Sequence, residues 1–284
     1  MPKLAVLGQP ISHSRSPAMQ NAALAELGLA PEWTYGAIEV ARDDFAALVA
    51  ELAGSGYAGV NVTVPHKIAA LAVADEASPA AAAIGAANTL SFGDGRVGAS
   101  NSDGVGILNA LPRSPEGKRA LVLGAGGSAR AAIWGLRNAG AEVHVWNRTH
   151  STAEALALEL GAQFNDGSSG AAGFDLIVNA TTVGLEAANA ATRSEGQPLV
   201  GDGLQALKEL PIDADSLHAE QVVVDLVYGS QETQLITAAR RAGGTPVDGL
   251  EVLVRQGAAS LRLWTGAEPP IDTMRAAARG EVSA

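Results

Sequence analysis

Residues 60 to 64 alternate apolar and polar side chains (Val60, Asn61, Val62, Thr63, Val64), the period of a half-buried strand. Pro65 then ends the pairing, and Lys67 opens a stretch of helical spacing. Apolar runs at 4–8, 120–124, 142–147, 174–179 and 221–227 read as further strands. Alanine- and leucine-rich stretches at 18–27, 45–52, 129–139 and 153–160 carry helical periodicity between them. Strands alternating with helices predict an α/β fold with parallel sheets. The last four strands are apolar nearly throughout, as helices on both sheet faces require. Leu250, Leu253, Val254, Leu261 and Trp264 fall on one helical stripe, so the chain is expected to end on helices.

The stretch 111–118 holds two prolines, a serine and a glycine just before a strand, the composition of a domain crossing. The expected organisation is a first domain of residues 1–106, completed by C-terminal helices from 248 to 284, and an inserted domain of residues 107–247. Residues 186–203 are small and polar without clear periodicity and are expected to form a long surface loop. At 284 residues the chain is long enough for two domains with separate cores.

Composition narrows the function classes. Nineteen Lys and Arg against 30 Asp and Glu give a formal charge of -11, which disfavours nucleic acid and anionic membranes as partners. Cysteine is absent, removing disulfides, thiol nucleophiles and thiolate metal sites. The five histidines do not recur at metal-ligand spacing, so no metal is expected. The apolar run near the start, residues 4–7, is too short for a signal-peptide core or a membrane span, and a cytoplasmic location is expected.

The segment "LVLGAGGSARAA" runs from strand into Gly124, Gly126 and Gly127, with a helix beginning near Ser128 and Ala129 in the third position of a dinucleotide-binding turn. A helix starting there offers N–H groups and a partial positive charge to phosphates. The next strand ends in Asn147, Arg148 and Thr149, where folds preferring NAD carry Asp or Glu. A guanidinium binds a 2'-phosphate that a carboxylate would repel, so NADP is favoured.

Uncharged hydrogen-bonding side chains cluster in the first domain. Ser14 and Ser16 precede a helix that Pro17 would start, and Ser16 reads both as an N-cap and as part of a neutral carboxylate site. Asn61 and Thr63 share a strand face. Asn88, Thr89 and Asp103 lie in or near turns, where capping is the ordinary role. A lysine on a helix is ordinarily a solvated charge. In this company Lys67 fits equally a structural ion pair and a proton-transfer group for a small polyhydroxylated acid.

In their order and approximate spacing, "GQPISHSRSPAMQN", "GVNVTVPHK", "GAANT", "NSDGVG", "GAGGSARA", "NRT", "NAT" and "GLEVLVRQGAASLRLWTG" resemble the shikimate dehydrogenase family over essentially the whole chain. The resemblance implies two α/β domains, one binding substrate and one a Rossmann-type NADP domain, with the active site in a cleft between them. It implies reversible, NADP-dependent reduction of 3-dehydroshikimate to shikimate by a monomer or homodimer. By position, Lys67 and Asp103 match the catalytic pair. Ser14 and Ser16 match the substrate-carboxylate ligands, and Asn61, Thr63, Asn88 and Gln256 the groups around the ring hydroxyls. Tyr228 matches a tyrosine near substrate and nicotinamide. Gly124, Gly126, Gly127, Ser128, Ala129, Asn147, Arg148, Thr149, Thr181 and Gly249 fall in the cofactor-binding motifs. Gln20 stands where the family usually has histidine, Ser102 replaces a threonine, and Ser230 and Val252 replace a proline and a methionine near the cofactor. Quinate or an amino analogue of shikimate on the same scaffold, or a non-catalytic NADP-binding offshoot, are the alternatives.

Overall fold

A computed structural model describes residues 1–185, 188 and 205–281. The stretch 186–203, expected as a long loop, lies outside the described residues apart from Ala188. The chain divides into two compact units, Met1–Asn109 with Leu253–Ala284 and Ala110–Val252, so the crossings fall a few residues beyond the expected 106 and 248.

The first unit begins with β1 (Lys3–Gly8), α1 (Ser16–Glu26), β2 (Thr34–Glu39), α2 (Phe45–Gly54), β3 (Tyr57–Val62) and α3 (Lys67–Ala72). It continues with β4 (Glu76–Ala77), α4 (Pro79–Ile84), β5 (Thr89–Gly93), β6 (Arg96–Ser100) and α5 (Asp103–Ala110). Its six-stranded sheet has the order β2-β1-β3-β5-β6-β4. This sheet is mixed, not parallel as expected: β5 runs antiparallel to both β3 and β6. The cause is local. Asp94 (φ 52°) and Gly95 (φ 72°) form a two-residue turn that folds β6 back on β5.

β3 also differs from its expected form. It ends at Val62, so Thr63 lies beyond the strand, and Gly59 to Val62 are all buried, because Asn61 points into a polar interior instead of solvent. Ala5, Leu7, Phe45, Val60, Val62 and Leu90 belong to the core on this sheet.

The second unit holds β7 (Arg119–Leu123), α6 (Gly127–Asn138), β8 (Glu142–Trp146), α7 (His150–Leu160) and β9 (Gln163–Phe164). After these come β10 (Leu176–Asn179), β11 (Val222–Asp225), α8 (Gln234–Arg241) and β12 (Thr245–Val247). The sheet order is β12-β11-β10-β7-β8-β9 with every described pairing parallel. The strand order reverses between β7 and β10, which makes the carboxyl ends of these two strands a topological switch point. β10 and β11 are buried along their whole lengths, as their apolar sequences predict.

Two helices follow, α9 (Gly249–Thr265), within which the chain re-enters the first unit, and α10 (Ile271–Arg279). The buried positions on α9 include Val252, Val254, Ala258, Ser260 and Leu261. Leu250 and Leu253, expected on the buried stripe, are only half-buried, and Val252 takes their place. Among the described residues no helix is long and apolar enough to cross a membrane, and no group of three His, Asp or Glu could hold a metal ion.

Candidate active site

Lys67 is placed by the turn that follows β3. The Thr63 carbonyl accepts from the His66 N–H (2.9 Å), and His66 stands at the N-cap of α3. The buried His66 ring stacks on Phe45 at 4.6 Å between centroids and reaches the Val40 carbonyl through Nε2 (2.9 Å). With His66 fixed, Lys67 must open the helix. Its own carbonyl then accepts from Ala87 N–H (2.8 Å), fastening the segment before Asn88 to the lysine backbone.

The Lys67 Nζ donates to Asp103 Oδ2 at 2.5 Å, and the two side chains are 11% and 10% exposed. Asp103 opens α5, where its N–H donates to Asn101 Oδ1 (3.0 Å) and Asn101 Nδ2 donates to the Ala86 carbonyl (2.9 Å). The second carboxylate oxygen of Asp103 accepts from Asn88 Nδ2 (2.8 Å), which also lies 3.1 Å from Gln256 Oε1 and 2.9 Å from Ser102 Oγ. Asn88 Oδ1 in turn accepts from Ser102 N–H (2.8 Å) and the Thr89 hydroxyl (2.9 Å). Lys67, Asn88, Asp103 and Gln256, from separate segments of the chain, thus meet in one hydrogen-bonded array.

Asn61 is buried behind it. Its Oδ1 accepts from the Tyr35 hydroxyl (2.7 Å), and its Nδ2 faces Ser260 Oγ (2.9 Å), the Asn88 carbonyl (3.2 Å) and Thr89 Oγ1 (3.3 Å). Tyr35, Thr89, Ser102 and Ser260 complete the array. Ser260 was legible only as a polar residue on an apolar helical stripe. Gly106 lets α5 approach α9, since a Cβ there would lie 2.7 Å from the Cβ of Gln256.

Ser14 and Ser16 form a separate pair. The Ser14 Oγ accepts from Ser16 N–H (3.3 Å). Ser16 is not the N-cap: Arg15 holds that position without a side-chain cap, and buried Ser16 is the first residue of α1. Among the described residues, no hydrogen bond joins the serines to the Asn88 array. Gln20, one turn from Ser16, donates to the Gly257 carbonyl (3.0 Å), beside Gln256. Thr63 donates its N–H to the Leu7 carbonyl (2.9 Å).

In the second unit, Gly124 follows β7 with φ +108°, open to glycine, and its missing Cβ would lie 3.0 Å from the Ala180 carbonyl oxygen. Gly126 is the N-cap of α6 with no side-chain cap, and a Cβ there would meet nothing within 4 Å. Gly127 and Ser128 lie half-buried in the first turn of α6, and Ala129 is fully buried beneath it. Arg148 and Thr149 are exposed after β8, and Asn147 Nδ2 donates to the Thr149 carbonyl (3.1 Å). An uncapped helix N-terminus behind an open glycine turn, with no carboxylate at the end of the next strand, fits a dinucleotide that carries a 2'-phosphate. Thr181 and Tyr228 are half-buried, each just after a strand, and Gly249 is buried with a Cβ position 2.8 Å from the carbonyl oxygens of Leu226 and Val227.

The buried carboxylate of Asp225, at the end of β11, was not singled out in the sequence although it is the one charge in an apolar strand. Desolvation pushes its pKa up to about 6, against the opposing hydrogen bonds from Thr233, Val227 and Asn179.

The model of the shikimate dehydrogenase substrate binding domain matches residues 6–90, that of shikimate / quinate 5-dehydrogenase residues 109–192, and that of the shikimate 5'-dehydrogenase C-terminal domain residues 249–279. The shikimate dehydrogenase (NADP(+)) of Methanothrix thermoacetophila is 41% identical, over 97% of this chain and 96% of its own. The chain belongs to the shikimate dehydrogenase family. Among solved members of the family, shikimate 5-dehydrogenase from Thermus thermophilus in complex with NADP(H) and shikimate superposes with a TM-score of 0.85 at 40% identity, over 99% of this chain and 100% of that one. A 5-ketofructose reductase of Gluconobacter shares the architecture at 29% identity and a TM-score of 0.81, over 99% of each chain. The architecture of shikimate dehydrogenases thus extends to a protein named for another substrate, so the fold by itself does not fix the substrate.

Proposed function

We propose that this protein is an NADP-dependent shikimate dehydrogenase that reversibly reduces 3-dehydroshikimate to shikimate, with Lys67 and Asp103 as its proton-transfer pair. NADP, when bound, supplies the hydride donor or acceptor. The protein must move one proton, to the oxygen of the reduced carbonyl or from the hydroxyl being oxidised. The observation that carries this reading is the 2.5 Å contact of Lys67 with Asp103, nearly buried and tied through Asn88 to Gln256.

In the reductive direction the Lys67 ammonium gives its proton to the substrate oxygen as negative charge develops there, and Asp103 holds the ammonium in place. In the oxidative direction the same amine receives the hydroxyl proton. Gln256 and Asn88, joined in one array, offer fixed partners to ring hydroxyls. Asn61 is engaged by Tyr35 and Ser260 and acts by holding Asn88 and Thr89. Ser14 and Ser16, with the N-terminus of α1, take the substrate carboxylate. Gly124 to Ala129 receive the pyrophosphate, Asn147 to Thr149 the adenosine phosphate, and Thr181, Tyr228 and Gly249 line the nicotinamide end. The reading includes a cytoplasmic location and a monomer or homodimer.

The test is initial-rate formation of reduced nicotinamide, NADPH or NADH, with shikimate and quinate, each offered with NADP and with NAD. A kcat/KM advantage of about a hundredfold, about 2.7 kcal/mol, for shikimate with NADP is expected. Faster turnover of quinate, or no turnover by protein that binds NADPH, overturns the assignment.

A further inference from the structure

The carboxylate of Asp225 accepts three hydrogen bonds, each from a different segment at the carboxyl ends of the second sheet. Asn179 Nδ2 donates to Oδ1 (2.9 Å) from the end of β10. Val227 N–H donates to the same oxygen (3.1 Å) from the turn that carries Tyr228. The Thr233 hydroxyl donates to Oδ2 (2.6 Å) and accepts from Ile236 N–H (3.3 Å) as the cap of α8.

Asn179 passes the constraint on. Its Oδ1 accepts from the Thr181 hydroxyl (2.7 Å) and Thr181 N–H (3.1 Å), while the Thr181 hydroxyl oxygen accepts from Val183 N–H (3.1 Å). The turn so formed sits against the glycine-rich loop: Ala180 N–H donates to the Leu123 carbonyl (2.9 Å), and the Ala180 carbonyl closes on Gly124. On the other side Leu226 N–H donates to the Asn179 carbonyl (3.0 Å). One buried carboxylate therefore ties the turn at the switch point to the turn bearing Tyr228.

We propose that Asp225 is a positioning residue for the dinucleotide, a clasp that fixes the 179–183 and 226–228 turns relative to each other so that both face the nicotinamide end preformed. The inference rests on the NADP reading above. A merely structural role would be met by any group that keeps β11 and α8 folded. A clasp instead requires an acceptor at Oδ1, where two donors converge; an Asn can supply it by turning its carbonyl oxygen there and its amide nitrogen to the Thr233 hydroxyl, whereas an Ala cannot. Asp225→Ala removes the acceptor, Asp225→Asn can keep it at Oδ1, and Thr233→Val removes the third arm and the α8 cap while leaving both turns bonded.

The measurement is NADPH binding by nucleotide fluorescence, with shikimate binding and the melting temperature recorded alongside. Asp225→Ala is expected to weaken NADPH tenfold or more with shikimate binding unchanged, whereas Asp225→Asn and Thr233→Val leave NADPH affinity within twofold, the latter with a lowered melting temperature. Wild-type affinity in folded Asp225→Ala, or equal weakening by Thr233→Val, overturns the clasp while the cofactor reading stands. Wild-type protein that binds no NADPH overturns both. Should Asp225→Ala fail to fold, amide exchange in the wild-type protein decides: Thr181, Val183 and Val227 N–H are expected to share one opening step, with protection equal within about threefold and raised together by NADPH. Unequal protection overturns the clasp.

Discussion

The Lys67–Asp103 pair and Asp225 carry opposite lessons about buried charge. Lys67 and Asp103 neutralise one another, so removing either leaves the partner uncompensated. Lys67→Met preserves the stem and removes the ammonium. It should lower kcat by about 10²–10⁴, the usual worth of a general acid–base group, with KM for shikimate changed little. Steady-state kinetics on the folded variant checks this, and near-normal kcat would reduce the pair to a structural contact. Asp225 has no cation among its causes of shift; Asn179, Thr233 and the Val227 N–H facing it are neutral. Its pKa rises from 3.8 to about 6 on folding, so the folded protein binds the proton more tightly. Its cost is absent below about pH 3.8, grows as pH rises through 6, and levels at about 3 kcal/mol above. The stability of Asp225→Asn relative to wild type should therefore shift in the variant's favour by about that amount between pH 4 and 8, read from denaturant midpoints. A pH-independent difference would mean that the carboxyl titrates alike in both states.

At the scale of elements, the sequence was legible where one physical signal dominates. The apolar runs of β7, β8, β10 and β11 stand out because both faces are covered, and the alanine-rich helices follow at close to their expected bounds. β2 was missed because an edge strand with a single fully buried residue, Tyr35, carries no clean alternation. β5 and β6 were missed although Asp94 and Gly95 are a hairpin signal, and with them went the antiparallel pairing. The candidate site residues stand in recognisable motifs, whereas Tyr35 and Ser260 depend on contacts across long sequence separations. The approach of α5 to α9 depends on such a contact. Gly106→Ala places a Cβ 2.7 Å from the Gln256 Cβ and 2.9 Å from its nitrogen, whereas Gly54→Ala meets nothing within 4 Å. Gly106→Ala should cost about 1–3 kcal/mol as overpacking and lower kcat/KM through the displaced Gln256. Gly54→Ala should be neutral or stabilising by up to about 1 kcal/mol. Thermal melts of the two variants test the packing account, which fails if they match.

At the scale of the whole molecule, a formal charge of -11 sets a question about an anionic cofactor. The 2'-phosphate that separates NADP from NAD adds negative charge to a ligand the protein's overall field already repels. Magnitudes decide which effect wins. A pair of unit charges about 25 Å apart in water interacts by about 0.2 kcal/mol, so eleven contribute about 2 kcal/mol unscreened. At about 0.1 M salt the Debye length of about 10 Å cuts that to roughly a tenth. An Arg148–phosphate contact at about 4 Å is worth about 1–4 kcal/mol, depending on how much water surrounds it. On the reading that Arg148 takes the 2'-phosphate, the local contact governs selectivity, and because Arg148 is exposed, salt weakens it. The ratio of kcat/KM for NADP over NAD, with shikimate as substrate, should fall as KCl rises from about 0.05 to 0.5 M. Arg148→Asp should bring the ratio below one by adding a carboxylate that repels the phosphate and accepts from a ribose hydroxyl. In that variant salt should raise the ratio, since only repulsion remains to be screened. A wild-type ratio that rises with salt, or an NADP preference that survives in Arg148→Asp, would mean that another group reads the phosphate.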